Sequence, residues 1–257
     1  MSAQWQVNYI NNPKSELQII QEWDSIAEAR LNQIDSGLDS SFSKVLAPAI
    51  LNRLNQKELR VLDIGCGTGT LSQKISNTVR EVVALDPSCN SIRLARERHS
   101  AGNLHYIHSD AQQYLSNNDN AKGYFNSIVL NMVLMDVIDI SSVLNPAYEL
   151  CGHRGSIYAT ITHPCFWPKY WLYESSDWFD YSKEIQIEAP FRINSDQLSN
   201  ITTHIHRPLE NYLQAVYEAG FVNVRIEELR ENVRDRERVA SNKLNYPKFL
   251  MIVASKG

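Results

Sequence analysis

The chain has 257 residues, 43% hydrophobic and 21% charged, which is ordinary globular usage and enough to bury a core without metal or disulfide staples. Such a composition excludes a disordered tail, a collagen-like fibre and a small disulfide scaffold. With 25 basic against 29 acidic residues the formal charge is −4, so no global field draws nucleic acid or an anionic membrane.

The cysteines, Cys66, Cys89, Cys151 and Cys165, form no C-x-x-C pair, and the pairings Cys151-x-His153 and His163-x-Cys165 lie a whole strand apart. A zinc or redox motif therefore has no support, and no metal is expected. The start Met1-Ser2-Ala3-Gln4-Trp5-Gln6 has neither a basic region nor an apolar run, and no stretch approaches 18 uninterrupted apolar residues. The expectation is a soluble, cytoplasmic protein with reduced thiols and no membrane partner.

Along the chain, Leu17, Ile20, Trp23, Ala27, Leu31 and Ile34 recur at helical spacing, which predicts a helix over 15–36 that ends at Gly37. Phe42, Val45, Leu46, Ala49, Ile50 and Leu54 suggest a second helix, with Pro48 as a break in it. Short apolar runs then alternate with helical stretches. Strands are predicted at Arg60–Ile64, Val82–Asp86, Leu104–His108, Ser127–Asn131 and Ser156–Thr162, with helices at Leu71–Ser76, Asn90–Arg98, Ala111–Leu115 and Ile140–Leu150. This alternation predicts an α/β fold, a parallel sheet with helices on both faces. Residues 164–203 show no helix–strand rhythm; a helix at Leu209–Glu218 and strands at Val222–Glu227 and Phe249–Ala254 follow. The stretch Arg225–Lys243 carries six basic and five acidic residues and reads as a solvated connection.

The informative stretch is Val61-Leu62-Asp63-Ile64-Gly65-Cys66-Gly67-Thr68-Gly69-Thr70-Leu71. A strand runs into glycines at alternate positions, which permits positive φ and lets a ligand approach the backbone with no Cβ in the way. The next strand ends in Asp86, 21 residues beyond Gly65, where a carboxylate can accept hydrogen bonds from ribose hydroxyls. A dinucleotide fingerprint spaces its glycines G-x-G-x-x-G; here the third comes one position early, and Asp63 stands two residues before the first. An acid there repels a pyrophosphate and favours an ammonium or sulfonium. Adenosine, sulfonium and amino acid together describe S-adenosylmethionine.

Asp63-Ile64-Gly65-Cys66-Gly67-Thr68-Gly69 resembles the first motif of class I S-adenosylmethionine-dependent methyltransferases. Asp86, followed by Pro87, matches their ribose-binding acid, Ser109-Asp110-Ala111 resembles their adenine-contacting turn, and Asn131-Met132 resembles the segment beside the methionine moiety. The resemblance covers residues 42–163 well. It extends loosely to His206-Arg207-Pro208-Leu209 and Ala219-Gly220-Phe221, a pairing typical of the small-molecule branch. It implies a Rossmann-like, seven-stranded, mostly parallel sheet with its last strand antiparallel. It also implies S-adenosylhomocysteine as product and cofactor contacts from Asp63, Gly65, Cys66, Gly67, Gly69, Asp86, Pro87, Asp110, Ala111, Asn131 and Met132. Other readings coexist: Asp63 as a cap of the glycine turn, Asp110 as a helix N-cap, Cys66 as a small filler, Asn131 as a strand end.

For the acceptor, the informative region follows the fifth strand. Nine aromatics fall within residues 164–191, where the whole chain averages 9%. They form either a lid over a pocket or the packing of an extra subdomain. Trp23, Phe166, Trp167, Tyr170 and Trp171 are the candidate substrate residues, and His163, His204 and His206 the candidate bases; each histidine has a structural reading beside the catalytic one. The expected organisation is a helical cover over 1–57 and a methyltransferase domain over 58–257, with 164–203 as an inserted lid. The expected reaction is methyl transfer to a small organic acceptor. Asn131-Met132-Val133-Leu134 stands where enzymes acting on base amines carry an Asn/Asp-Pro-Pro-aromatic sequence, which argues against nucleic acid. A protein acceptor and a non-catalytic S-adenosylmethionine-binding subunit stay open.

Overall fold

The structure, a computed structural model, describes residues 6–193, 196–230 and 246–257. A short strand β1 (Asn8–Tyr9) leads to helix α1 (Glu16–Asp35). Ser15 and Gln18 start that helix reciprocally: Ser15 Oγ accepts the Gln18 N–H, and Gln18 Oε1 accepts the Ser15 N–H at 2.9 Å. The predicted apolar stripe divides. Ala27 and Leu31 are buried, Ile20 and Trp23 face a large cavity, and Leu17 is 63% exposed. The second predicted helix is a π-helical turn (Phe42–Leu46) followed by α2 (Ala47–Leu51). Pro48 has no N–H to give the preceding turn, and the widened turn stands immediately before it.

The expected alternation follows: β2 (Arg60–Ile64), α3 (Thr70–Ser76), β3 (Glu81–Asp86), α4 (Cys89–Arg98), β4 (Leu104–His108), α5 (Ala111–Asn117), β5 (Phe125–Asn131), α6 (Ser141–Leu150) and β6 (Cys151–Thr162). Beyond a short helix α7 (Trp167–Tyr170), the chain forms β7 (Ile185–Ile193), β8 (Asp196–His206), α8 (Leu209–Glu218), β9 (Phe221–Leu229) and β10 (Phe249–Lys256). Seven strands pair in the order β4-β3-β2-β5-β6-β10-β9, and β10 runs antiparallel to both neighbours. The central strands are buried on both faces, so Leu62, Ile128 and Ile157 pack one side while Val61 and Val129 pack the other.

Residues 164–203 depart from the expected irregular segment. β7 and β8 pair antiparallel over most of their length, and β1 adds to β7 through Asn8 opposite Glu188. The result is a second, three-stranded sheet. Ile185, Ile187, Ala189 and Phe191 alternate inward along β7, a period-two pattern that the aromatic run before it conceals. Lys14 Nζ ties the N-terminal segment to this sheet, lying 2.7 Å from Glu188 Oε2 and 2.9 Å from Thr203 Oγ1. Of the charged stretch 225–243, residues from 231 on lie outside the described residues. Among the described residues no helix is long and apolar enough to cross a membrane.

Candidate active site

One cavity of about 530 Å³ opens at the carboxyl ends of β2, β3 and β5 and runs under α1 to the second sheet. At its first end the chain leaves β2 through Gly65, Gly67 and Gly69, with φ of 71°, 54° and 81°. Gly65 and Cys66 both donate their N–H to Leu85 O, at 2.8 and 2.9 Å, which pins the turn against the end of β3. A Cβ on Gly65 would stand 2.5 Å from Val133 Cγ2, whereas one on Gly67 would meet only open space. Gly65 is needed for packing, and Gly67 keeps the cavity wall bare.

Two buried carboxylates stand at this end. Asp86 lines the cavity and accepts from Gly67 N–H through Oδ2 and from Ser88 N–H through Oδ1, both at 2.8 Å. Asp63 is 1% exposed and takes the Ser72 hydroxyl on Oδ2 at 2.6 Å, while its Oδ1 is buried without a partner among the described residues. Burial pushes the Asp63 carboxyl up to about 7 and the Asp86 carboxyl up to about 6. Asp86 also adds repulsion to Asp63. Two acids desolvated side by side favour a cationic ligand. Burial likewise raises the Cys66 thiol well above its ordinary range, which fits a filler beside the crevice rather than a nucleophile.

Gly65, Cys66, Gly67, Asp86, Pro87, Asn131 and Met132 all line the cavity. Asn131 Oδ1 accepts the Thr160 hydroxyl at 2.8 Å, and Met132 takes φ of 60°, an uncommon conformation for a side-chain-bearing residue. Asp63, Gly69, Asp110 and Ala111 are not on the wall. Gly69 stands at the start of α3 under the Tyr106 hydroxyl, and Asp110 caps α5 by accepting the Gln113 N–H at 2.7 Å.

Helix α1 roofs the crevice. Asp24 accepts the Ser88 hydroxyl at 2.7 Å and the Asn90 N–H at 2.9 Å, and Glu16 Oε2 accepts the Ile138 N–H at 2.9 Å. Sequence reading missed Asp24 and Glu16 because each is one acid on an amphipathic helix.

The far end of the cavity is aromatic. Trp23, Trp167, Tyr170, Trp171, Phe191 and Phe249 line it. Trp23 meets Phe191 edge-on at 5.5 Å, and Trp167 lies 5.3 Å from Trp171. The indole N–H groups of Trp23 and Trp167 are buried without an acceptor among the described residues. Phe166 is not on the wall; it stacks at 4.9 Å on Tyr246.

Of the three candidate histidines, only His204 reaches the cavity. His163 accepts the Cys165 N–H on Nδ1 at 3.3 Å, and its Nε2 lies 3.8 Å from Glu228. His206 Nε2 donates to Tyr181 O at 3.2 Å. Burial holds both rings below the usual histidine range. His204 Nδ1 stands 2.5 Å from Asp136 Oδ1, a carboxylate the sequence reading did not single out. Burial raises the Asp136 carboxyl, with His204 beside it pulling the other way. Among the described residues no three His, Cys, Asp or Glu side chains cluster as a metal site would require.

A family model described as a methyltransferase domain matches residues 55–206, more than half of the chain. The chain is 26% identical over 172 residues to the ubiquinone/menaquinone biosynthesis C-methyltransferase UbiE of Vibrio vulnificus, covering 64% of each protein. It is 26% identical over 159 residues to malonyl-[acyl-carrier protein] O-methyltransferase 1 of Ilyobacter polytropus, covering 60% of this chain and 55% of that one. The chain thus spans 64% and 55% of the lengths of these two curated relatives. Among solved structures, an S-adenosylmethionine-dependent methyltransferase from Mesorhizobium loti superposes with a TM-score of 0.58 at 17% identity, covering 81% of this chain and 96% of that one. The 1,6-didemethyltoxoflavin-N1-methyltransferase of Burkholderia thailandensis, bound to its acceptor and S-adenosylhomocysteine, gives 0.57 at 14% identity, covering 100% and 97%. These structural likenesses show the fold.

Proposed function

This chain belongs to the methyltransferase-domain family, and from that premise we propose that it transfers a methyl group from S-adenosylmethionine to a small organic acceptor. The observation that carries the reading is the single cavity joining a glycine-walled, acidic crevice to an aromatic compartment. The crevice suits a cationic nucleoside. Asp86 offers carboxylate oxygens for ribose hydroxyls, the bare backbone at Gly67 allows close approach, and the unpartnered Asp63 Oδ1 beneath the turn complements an ammonium. Asn131 and Met132 line the same cavity, and on this reading they stand beside the methionine portion. The donor supplies an activated methyl group on sulfur.

The chain's own part is alignment. A nucleophile, the methyl carbon and the sulfur must stand in line, and holding them so supplies roughly 7–11 kcal/mol of the barrier. Trp23, Trp171 and Phe191 grip an apolar acceptor, and α1 with its Asp24 and Glu16 ties excludes water from the crevice. The relatives' names span carbon, oxygen and nitrogen methylation, so family membership leaves the acceptor atom open.

Incubation with methyl-labelled S-adenosylmethionine and a fractionated cell extract tests the reading. Label is expected in the low-molecular-mass organic fraction. Label confined to protein or RNA, or no transfer at all, would contradict it.

A further inference from the structure

We infer that Asp136 and His204 form the proton-accepting pair of this site, and that the acceptor is a flat molecule presenting an O–H nucleophile of phenol or enol type. The inference rests on the methyl-transfer reading and deepens it. His204 lies near the end of β8, in the second sheet, and Asp136 ends the 3₁₀ turn Leu134–Asp136 that follows β5. Two separate parts of the fold therefore bring an imidazole and a carboxylate together at 2.5 Å. Neither atom makes a hydrogen bond of regular geometry among the described residues, so the contact is a close charge pair that engages Nδ1 and leaves Nε2 out of it.

His204 Nε2 is the informative atom. The ring is 7% exposed and lines the cavity, yet Nε2 is buried with no partner among the described residues. A buried polar atom left unmatched is costly, and here it is matched when an occupant of the cavity supplies a donor. The Asp136 carboxylate beside Nδ1 favours the proton on that nitrogen, which leaves Nε2 as the acceptor, the tautomer that a general base requires. A base is of use only where the nucleophile must lose a proton, which selects a hydroxyl over a thioether or a tertiary amine.

The walls set the rest of the acceptor. Trp171 meets the His204 ring edge-on at 4.8 Å and Trp23 does so at 6.0 Å, with Phe191 beyond. Ile19, Ile20 and Met135 add apolar wall that suits a planar ring, while Arg30, 4.9 Å over the Phe191 ring, brings a basic side chain to the same compartment. In the step, the acceptor oxygen forms a bond to the methyl carbon while the carbon–sulfur pair stays on sulfur. The hydroxyl proton passes to Nε2. One positive charge is thereby lost at sulfur and one gained on the imidazolium, where the Asp136 carboxylate balances it. The proton leaves to solvent on product release. Around the pair, Arg207 supports the Asp136 charge while Glu22 and Glu16 on α1 oppose it.

The test uses the full chain, labelled with ¹⁵N in its histidines and loaded with S-adenosylhomocysteine, as wild type, Asp136→Asn and His204→Leu. The probes are 2-naphthol and its methyl ether. One ring N–H proton far downfield is expected in wild type and in neither variant. 2-Naphthol is expected to shift the His204 Nε2 resonance and to bind at least tenfold tighter than the ether, a preference that disappears in His204→Leu. Retained binding of S-adenosylhomocysteine by both variants controls for loss of folding. An absent downfield proton, no 2-naphthol binding, or equal binding of both probes would overturn the pair. Failure of S-adenosylhomocysteine to bind wild type would instead overturn the methyl-transfer reading itself.

Discussion

Asp24 of the roofing helix accepts the hydroxyl of Ser88 at 2.7 Å, and Ser88 Oγ in turn accepts the Ser91 N–H as the N-cap of α4. The roof is thus fastened to the helix that follows β3, at Ser88, which with Pro87 lines the cavity. Asp24→Ala removes this tie and the two to Asn90. Hydrogen bonds to a charged group contribute about 1.5–3 kcal/mol each when buried and less at a half-exposed junction. The expected result is roughly tenfold weaker S-adenosylhomocysteine binding with faster dissociation and a melting temperature lowered by a few degrees, read by calorimetry, stopped-flow tryptophan fluorescence and thermal melts.

Asp63 and Asp86 make cofactor binding pH-dependent. Both carboxyls are raised in the folded chain, to about 7 and about 6 from an ordinary 3.8. A raised carboxyl contributes stability that is fully present below its unfolded value and is lost as pH rises through the folded one. The empty protein therefore loses stability between pH 4 and 7, and Asp63→Asn flattens that loss in thermal melts. A cationic ligand pulls both groups toward the carboxylate. Its binding should release protons near pH 6–7 and tighten as pH rises, which calorimetry in buffers of different ionisation heat measures directly.

Two glycines of one turn predict different defects. At Gly65 an alanine meets both a positive φ and Val133, so Gly65→Ala should destabilise the fold by about 2–4 kcal/mol. Gly67→Ala meets only the φ cost, about 1 kcal/mol, but its methyl projects where the ligand must approach. Urea melts separate the first, and S-adenosylhomocysteine titration the second, with at least a tenfold loss of affinity expected at Gly67.

Arg207 holds the segment that carries Asp136. It is 1% exposed and donates to the carbonyls of Leu134 at 2.8 Å and Ile138 at 2.6 Å, and to that of Val137 between them. Glu184 lies 3.2 Å away as its ion-pair partner. Arg207→Met leaves three carbonyls without their donor, and denaturant unfolding should show a loss of about 3–5 kcal/mol.

The central sheet was legible because buried parallel strands read as short apolar runs between helical stretches, and the glycine turn because alternate glycines between a strand and a helix have few other uses. Asp86 followed from its distance beyond Gly65. The second sheet was not legible. Its period-two pattern from Ile185 to Phe191 follows a dense run of aromatics, and its edge strand β1 is supplied by residues far away in the chain. His204 was one of three equivalent histidines until the fold put it, and not His163 or His206, on the cavity wall. Asp136 carried no local signal, since its meaning is a contact with β8, 68 residues later.

The most direct test of the account is isothermal titration of S-adenosylhomocysteine and, in parallel, NAD into wild type and Asp86→Ala. The account predicts binding of S-adenosylhomocysteine in roughly the micromolar range, lost in Asp86→Ala, with no heat from NAD. Binding of NAD alone, or of neither, would contradict it.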